Sequence, residues 1–209
     1  MAARSVAPTK TNLIRLKQEL SFARLGYELL DQKRNILVNE LLSIVDTAEE
    51  YLNRTNEALS EAYRNLKESV RRTGTVKLGQ LAAAVHVESD IRLEQRRVMG
   101  VRLPVIETEF REHGPYFSAS ETSVWVDATI AQFKKTLELA GRLAELRVSV
   151  MRLATEVKKT IRKVNALEKI AIPDIELTVS GITERLEENE REMFVLMKMV
   201  KSRLETKER

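Results

Sequence analysis

Apolar residues recur along the first third of the chain at alternating steps of four and three. From Leu13 the series runs Leu16, Leu20, Ala23, Tyr27, Leu30, Arg34, Leu37, Leu41, Ile44, Ala48, Tyr51, Thr55, Ala58, Ala62 and Asn65. Only Arg34, Thr55 and Asn65 break it. A mean spacing of 3.5 held over so many heptads is the signature of a coiled-coil helix. No proline intervenes between Pro8 and Pro104, and Gly26 is the sole glycine before Gly74. Thr9 is the candidate cap and Thr73-Gly74 the candidate stop. The pattern predicts one helix of about 65 residues, about 100 Å long, which must project from anything globular.

The last third repeats the pattern. Leu139, Leu143, Leu146, Val150, Leu153, Val157, Thr160, Val164, Leu167 and Ala171 form one series. Ile175, Val179, Ile182, Leu186, Asn189, Met193, Leu196 and Val200 continue it beyond Pro173. A proline inside a helix removes a donor and crowds the preceding turn. The seam resumes on both sides, so a kink near Ile172 is expected in place of a stop. Two long helices with one seam each fold back most simply as an antiparallel coiled coil, with both termini at one end. With the ends level, Arg34 faces the region of Pro173 to Glu176. A charge there must either snorkel to water or find a carboxylate such as Asp174 or Glu176, and the second would pin the helix register.

Residues 74–117 have a different texture. Asp90-Ile91-Arg92-Leu93-Glu94 alternates polar and apolar residues as a half-buried strand does. Val98-Met99-Gly100-Val101 supplies a turn, and Val101-Arg102-Leu103-Pro104-Val105-Ile106 reads as the returning strand. Pro104 cannot donate to a ladder and marks an edge. His113-Gly114-Pro115 reads as the loop into the second helix, which is expected from about Ser120. The fold class is therefore all-α: two long helices in an antiparallel coiled coil with a short β-hairpin insert. The segments are 1–73, the first helix; 74–117, linker and hairpin; and 118–209, the second helix, kinked near Pro173.

Composition agrees with this reading. About half of the 209 residues are Ala, Glu, Lys, Leu or Arg, as in long helices. Seven glycines and four prolines leave few corners for an α/β or sandwich fold. Lys and Arg number 35 against 31 Asp and Glu, and opposite signs alternate at helical spacing. Nucleic-acid binding needs clustered cations, and no such block is present. There is no cysteine, hence no disulfide framework. No apolar run is long enough to span a membrane or serve as a secretory signal.

The motifs that carry chemistry are incomplete. Gly74-Thr75-Val76-Lys77-Leu78-Gly79 has the two-glycine spacing of a phosphate loop, but Gln80-Leu81 stands where Lys-Ser/Thr is needed. A flexible linker to the hairpin is the better reading. His86 and His113 have no partners at ligand spacing, so neither a metal nor a cofactor is expected. Position 110 is Phe and position 83 is Ala, which removes the Glu-x-x-His pairing of di-iron bundles. Glu187, Glu188 and Glu190 read as solvated acids with cations a turn away. Trp125 is read as packing under the hairpin, with partner anchoring as the alternative.

One stretch exceeds what a helix pair requires. From Met193 through Phe194, Val195, Leu196, Met197, Met199 and Val200, only Lys198 is polar. A helix apolar all round must be enclosed on most sides. Methionines suit a contact with changing neighbours. Met193, Phe194, Leu196, Met197 and Val200 are accordingly the candidate partner-contact residues. No catalytic residue is assigned.

Along the chain stand Val6-Ala7-Pro8-Thr9-Lys10, Gly26-Tyr27-Glu28-Leu29-Leu30-Asp31-Gln32-Lys33-Arg34 and Val98-Met99-Gly100-Val101-Arg102-Leu103-Pro104. Ile161-Arg162-Lys163-Val164-Asn165-Ala166-Leu167-Glu168, Ile172-Pro173 and Leu186-Glu187-Glu188-Asn189-Glu190-Arg191-Glu192 follow in order. Together these segments resemble the D subunit of the V/A-type rotary ATPases. Relatives often carry Arg-Arg where this chain has Arg162-Lys163, and a more charged stretch where this chain has its apolar run. The resemblance implies a non-catalytic central rotor axle whose terminal end enters a hexamer of catalytic and non-catalytic subunits. Its other end, with the small F subunit of the central stalk, stands on a funnel-shaped subunit coupled to the membrane rotor ring. Torque would pass between ATP hydrolysis or synthesis and proton or sodium transport. The location implied is cytoplasmic and peripheral to the membrane, with no direct insertion into it. The competing reading from the residues is a cytoplasmic coiled-coil adaptor or nucleic-acid-associated helical protein without a rotary role.

Overall fold

The computed structural model describes residues 6–85, 88–111, 116–118 and 122–207. Helix α1 spans Lys10–Thr73, α2 Thr75–Ala84 and α3 Val124–Ala166; a π-helical segment, Leu167–Ala171, leads into α4, Ile172–Lys207. Strands β1, Glu88–Val98, and β2, Val101–Arg111, form one antiparallel hairpin. Thr9 caps α1 as expected: its Oγ1 accepts from the Asn12 N–H at 3.2 Å and its carbonyl from Leu13 N–H at 3.0 Å. Gly74 ends α1 by taking φ of 85°, which a side chain would resist. The flexible linker expected after it is instead the ten-residue helix α2. Its Leu78 and Leu81, with Val85 just beyond its end, line an apolar cavity of about 400 Å³ with Leu66, Ile130 and Phe133. His86, His113-Gly114-Pro115 and Ser120 lie outside the described residues.

The chain packs as two compact units: Ile36–Val157 form one, and the chain on either side of that segment forms the other. In the flanking unit the start of α1 runs antiparallel to α4. Lys10 Nζ lies 2.7 Å from a Glu190 carboxylate oxygen, and Arg24 Nη2 lies 2.6 Å from one of Glu176. Lys10 and Arg24 stand two heptads apart, as do Glu176 and Glu190, so both links recur at one heptad position. Leu16, Val164, Ile175 and Ile182 are buried between the helices.

The Arg34 expectation fails here. Its guanidinium reaches Asp31 at 2.7 Å and Asn35 at 3.3 Å, both on its own helix. Arg24 takes Glu176 instead, because the register sets position 176 level with position 24.

The π-helical segment explains how the seam survives Pro173. With a regular four-three step Ala171 would be followed by position 174, yet the apolar series resumes at Ile175 and stays one residue late. A π turn accommodates one extra residue, and the Ile172 N–H donates to the Leu167 carbonyl across it. The wide turn precedes Pro173, whose ring would otherwise crowd the carbonyl four residues back.

In the central unit, Leu37, Ile44, Leu103, Leu146, Leu153 and Val157 make the core, with Val98, Val101 and Val150 packed against it. Farther along, small polar residues replace large apolar ones. Ser69 and Thr129 hydroxyls meet at 3.0 Å between α1 and α3; one donates to the other, and the one that accepts donates in turn to the carbonyl one turn back on its own helix, Asn65 for Ser69 or Trp125 for Thr129. That back-bonding satisfies the hydroxyls and makes their burial tolerable.

The hairpin strands are eleven residues each, longer than the short insert expected. Met99 and Gly100 both have positive φ, 46° and 84°, as a two-residue type I′ turn requires. Such a turn closes on a hydrogen-bonded pair, Val98 with Val101, so residues 102, 104, 106 and 108 turn their backbone groups away from β1. Pro104 therefore forfeits no ladder bond. On that outer edge Arg152 donates to the Arg102 carbonyl at 2.8 Å, and Glu145 accepts from the Ile106 N–H at 2.9 Å. Helix α3 thus covers the edge that would otherwise be open to pairing. Thr108 fits beside Gly141, where a Cβ would come within 3.2 Å of its hydroxyl.

Candidate interaction surfaces

The seam positions divide by burial. All sixteen on α1 from Leu13 to Asn65 are buried or half-buried, and so are those from Leu139 through Leu186. Beyond Leu186 the covering ends: Asn189, Met193, Leu196 and Val200 are exposed. The reason is the link between Lys10, the first helical residue of α1, and Glu190. Residues past 190 have no helical partner in α1.

Met193, Phe194, Leu196, Met197 and Val200 all lie on this single-helix stretch, each more than half exposed and Phe194 at 70%. Val195 and Met199 are exposed beside them. A contiguous apolar surface of this kind marks a binding site or an aggregation liability. At its base Glu190 is held below the ordinary carboxylate range by its hydrogen bond from Lys10 and by that charge. Lys10 is raised by the same contact. Glu187 lies 3.8 Å from Arg191 on its own helix.

A second apolar stripe escaped the sequence reading. Phe22, Leu25 and Leu29 lie exposed on the outside of α1. The seven-residue step from Phe22 to Leu29 was the available signal, masked by the stronger seam beside it. Trp125 packs against the end of α1, not under the hairpin: the Arg72 guanidinium sits 5.5 Å from its ring centre. Arg72 also donates to Glu68, which lowers the pKa of that carboxyl.

Lys77 and Gly79 lie within helix α2, so the residues resembling a phosphate loop form no loop at all. Among the described residues no group of three His, Asp or Glu is placed to hold a metal. No helix among them is long and apolar enough to cross a membrane.

An antiparallel helical pair with a hairpin insert and an uncovered apolar end defines a coiled-coil stalk protein. The sequence profile of the ATP synthase D-subunit family matches residues 12–202. The A-type ATP synthase D subunit of Thermococcus sibiricus is 39% identical over 205 residues, covering 97% of this chain and 96% of that one. That of Pyrococcus furiosus is 36% identical over 206 residues, with the same coverage. The V-type ATP synthase D subunit of Thermotoga neapolitana is 36% identical over 200 residues, covering 96% and 98%. The chain belongs to the ATP synthase D-subunit family, the central-stalk component of the V/A-type ATPases.

Proposed function

We infer that this chain is the rotor axle of its complex, transmitting torque without catalysing a reaction. Its terminal end would turn inside the hexamer of catalytic and non-catalytic subunits. The small F subunit and the funnel-shaped subunit on the membrane rotor ring would be its other neighbours, and the chain itself would stay peripheral to the membrane. The observation that carries the reading is the apolar end of α4, which continues past the start of α1 with its seam uncovered. Apolar contacts are weakly directional, so a sleeve around them can bind the tip without strongly favouring one angle. Met193 and Met197 suit neighbours that change as the axle turns.

The test replaces Phe194, Leu196 and Met197 together with Ser. Hexamer affinity and ions moved per ATP should both fall, while the F subunit stays bound. Unchanged affinity and unchanged coupling would defeat the bearing reading.

A further inference from the structure

The hairpin, residues 88–111, carries five arginines and five carboxylates. Three of the arginines have acidic partners in place: Arg92 with Glu109, Arg96 with Glu40 and Arg111 with Asp90. The other two, Arg97 and Arg102, stand directly opposite each other beside the turn. Theirs is a non-hydrogen-bonded pair, in which side chains approach most closely, and like charges there oppose the fold. Arg152 of α3 adds a third guanidinium at the same place, 2.8 Å from the Arg102 carbonyl. All three side chains are exposed, and among the described residues none of them is ion-paired.

The same sheet face carries Ile91 and Leu93, by strand alternation from Arg97. They are 61% and 65% exposed, while the opposite face sends Val98, Val101 and Leu103 into the core. Exposed arginines beside exposed aliphatics have the composition of a protein–protein contact. A membrane or nucleic acid fits less well, because the hairpin as a whole is neutral and its carboxylates would repel a polyanion.

We propose that Arg97, Arg102 and Arg152, with Ile91 and Leu93, dock a neighbouring subunit through a segment carrying at least two carboxylates next to apolar residues. Each guanidinium presents a planar fork that a carboxylate matches with two hydrogen bonds. Docking then relieves the like-charge pair that the free chain must tolerate. The proposal rests on the reading of this chain as a subunit of the rotary assembly.

The experiment purifies the assembled complex through a tag on a catalytic subunit, with wild-type chain or with Arg97→Glu/Arg102→Glu. One neighbouring subunit should leave the variant complex at lower salt, with its affinity for this chain weakened at least tenfold. Reversing two carboxylates of that neighbour to Lys should restore it. A second variant, Arg97→Gln/Arg102→Gln, guards against misfolding. In the isolated chain its thermal midpoint should equal or slightly exceed wild type, while the same neighbour is weakened.

Retention of every neighbour at wild-type salt tolerance would overturn the proposal. So would charge-dependent binding of the chain to anionic phospholipid vesicles with the subunit contacts unaltered. A wild-type chain absent from the purified complex would overturn the assembly role, and this docking site with it.

Discussion

Glu145 shows how much can hang on one side chain. It is 8% exposed, accepts the Ile106 N–H and is held by Arg142 at 2.7 Å. Glu145→Ala strands a backbone donor at the join of hairpin and helix, and should cost about 1–3 kcal/mol in urea unfolding. Glu145→Gln keeps an acceptor and should cost less. Amide exchange at Ile106 should quicken in the Ala variant only. The Lys10–Glu190 link is a residue-scale effect of another kind, since both groups are exposed. The lowered Glu190 pKa gives a contribution present above the ordinary carboxylate value and lost as pH falls through the lowered one. The raised Lys10 pKa gives one present below the ordinary lysine value and lost as pH rises through the raised one. Any thermal advantage of wild type over Glu190→Gln should thus be seen near neutrality, vanish in strong acid, and shrink with added salt.

At the scale of elements, the hairpin turn and the π segment are both answers to local stereochemistry. Gly100 at φ of 84° permits the turn, and Gly100→Ala should destabilise by roughly 1–2 kcal/mol. Met99 also has positive φ, a conformation that Asn tolerates better, so Met99→Asn should raise the midpoint slightly. Proline spacing alone pointed to a disturbance near Ile172. What it could not reveal was its form, because a kink and a π turn both answer a proline. The one-residue delay between Ala171 and Ile175 was the readable clue. It became decisive only once α1 was seen to demand a seam on both sides of it.

For the whole molecule, burial separates what folds the chain from what assembles it. Leu153 is fully buried in the core, and Leu153→Ala should cost about 2–5 kcal/mol by chemical denaturation. Phe194, Leu196 and Met197 are exposed, so the triple Ser variant should leave the thermal midpoint near that of wild type while weakening assembly. The two measurements together distinguish a packing role from a partner-binding one. Self-association of the isolated chain, followed by sedimentation, should likewise fall in the triple variant, because the tip is a continuous uncovered apolar stretch.

The sequence alone determined the long helices, their seams, the antiparallel return and the hairpin turn. Each depends on periodicity or on a local backbone preference, and these are written in neighbouring residues. Tertiary structure decided the register, and with it which charges meet. A heptad seam presents equivalent apolar positions after slides of three, four or seven residues and their sums, so only packing could fix the ten-residue difference that gives Glu176 to Arg24 instead of Arg34. Packing also decided where the seam stops being covered, because coverage at Met193 depends on where a helix distant in sequence begins. It turned the expected linker into α2, whose apolar face needed α1 and α3 to lean on. It likewise set Arg97 against Arg102, a juxtaposition that depends on the strand register and that neither residue's local sequence discloses.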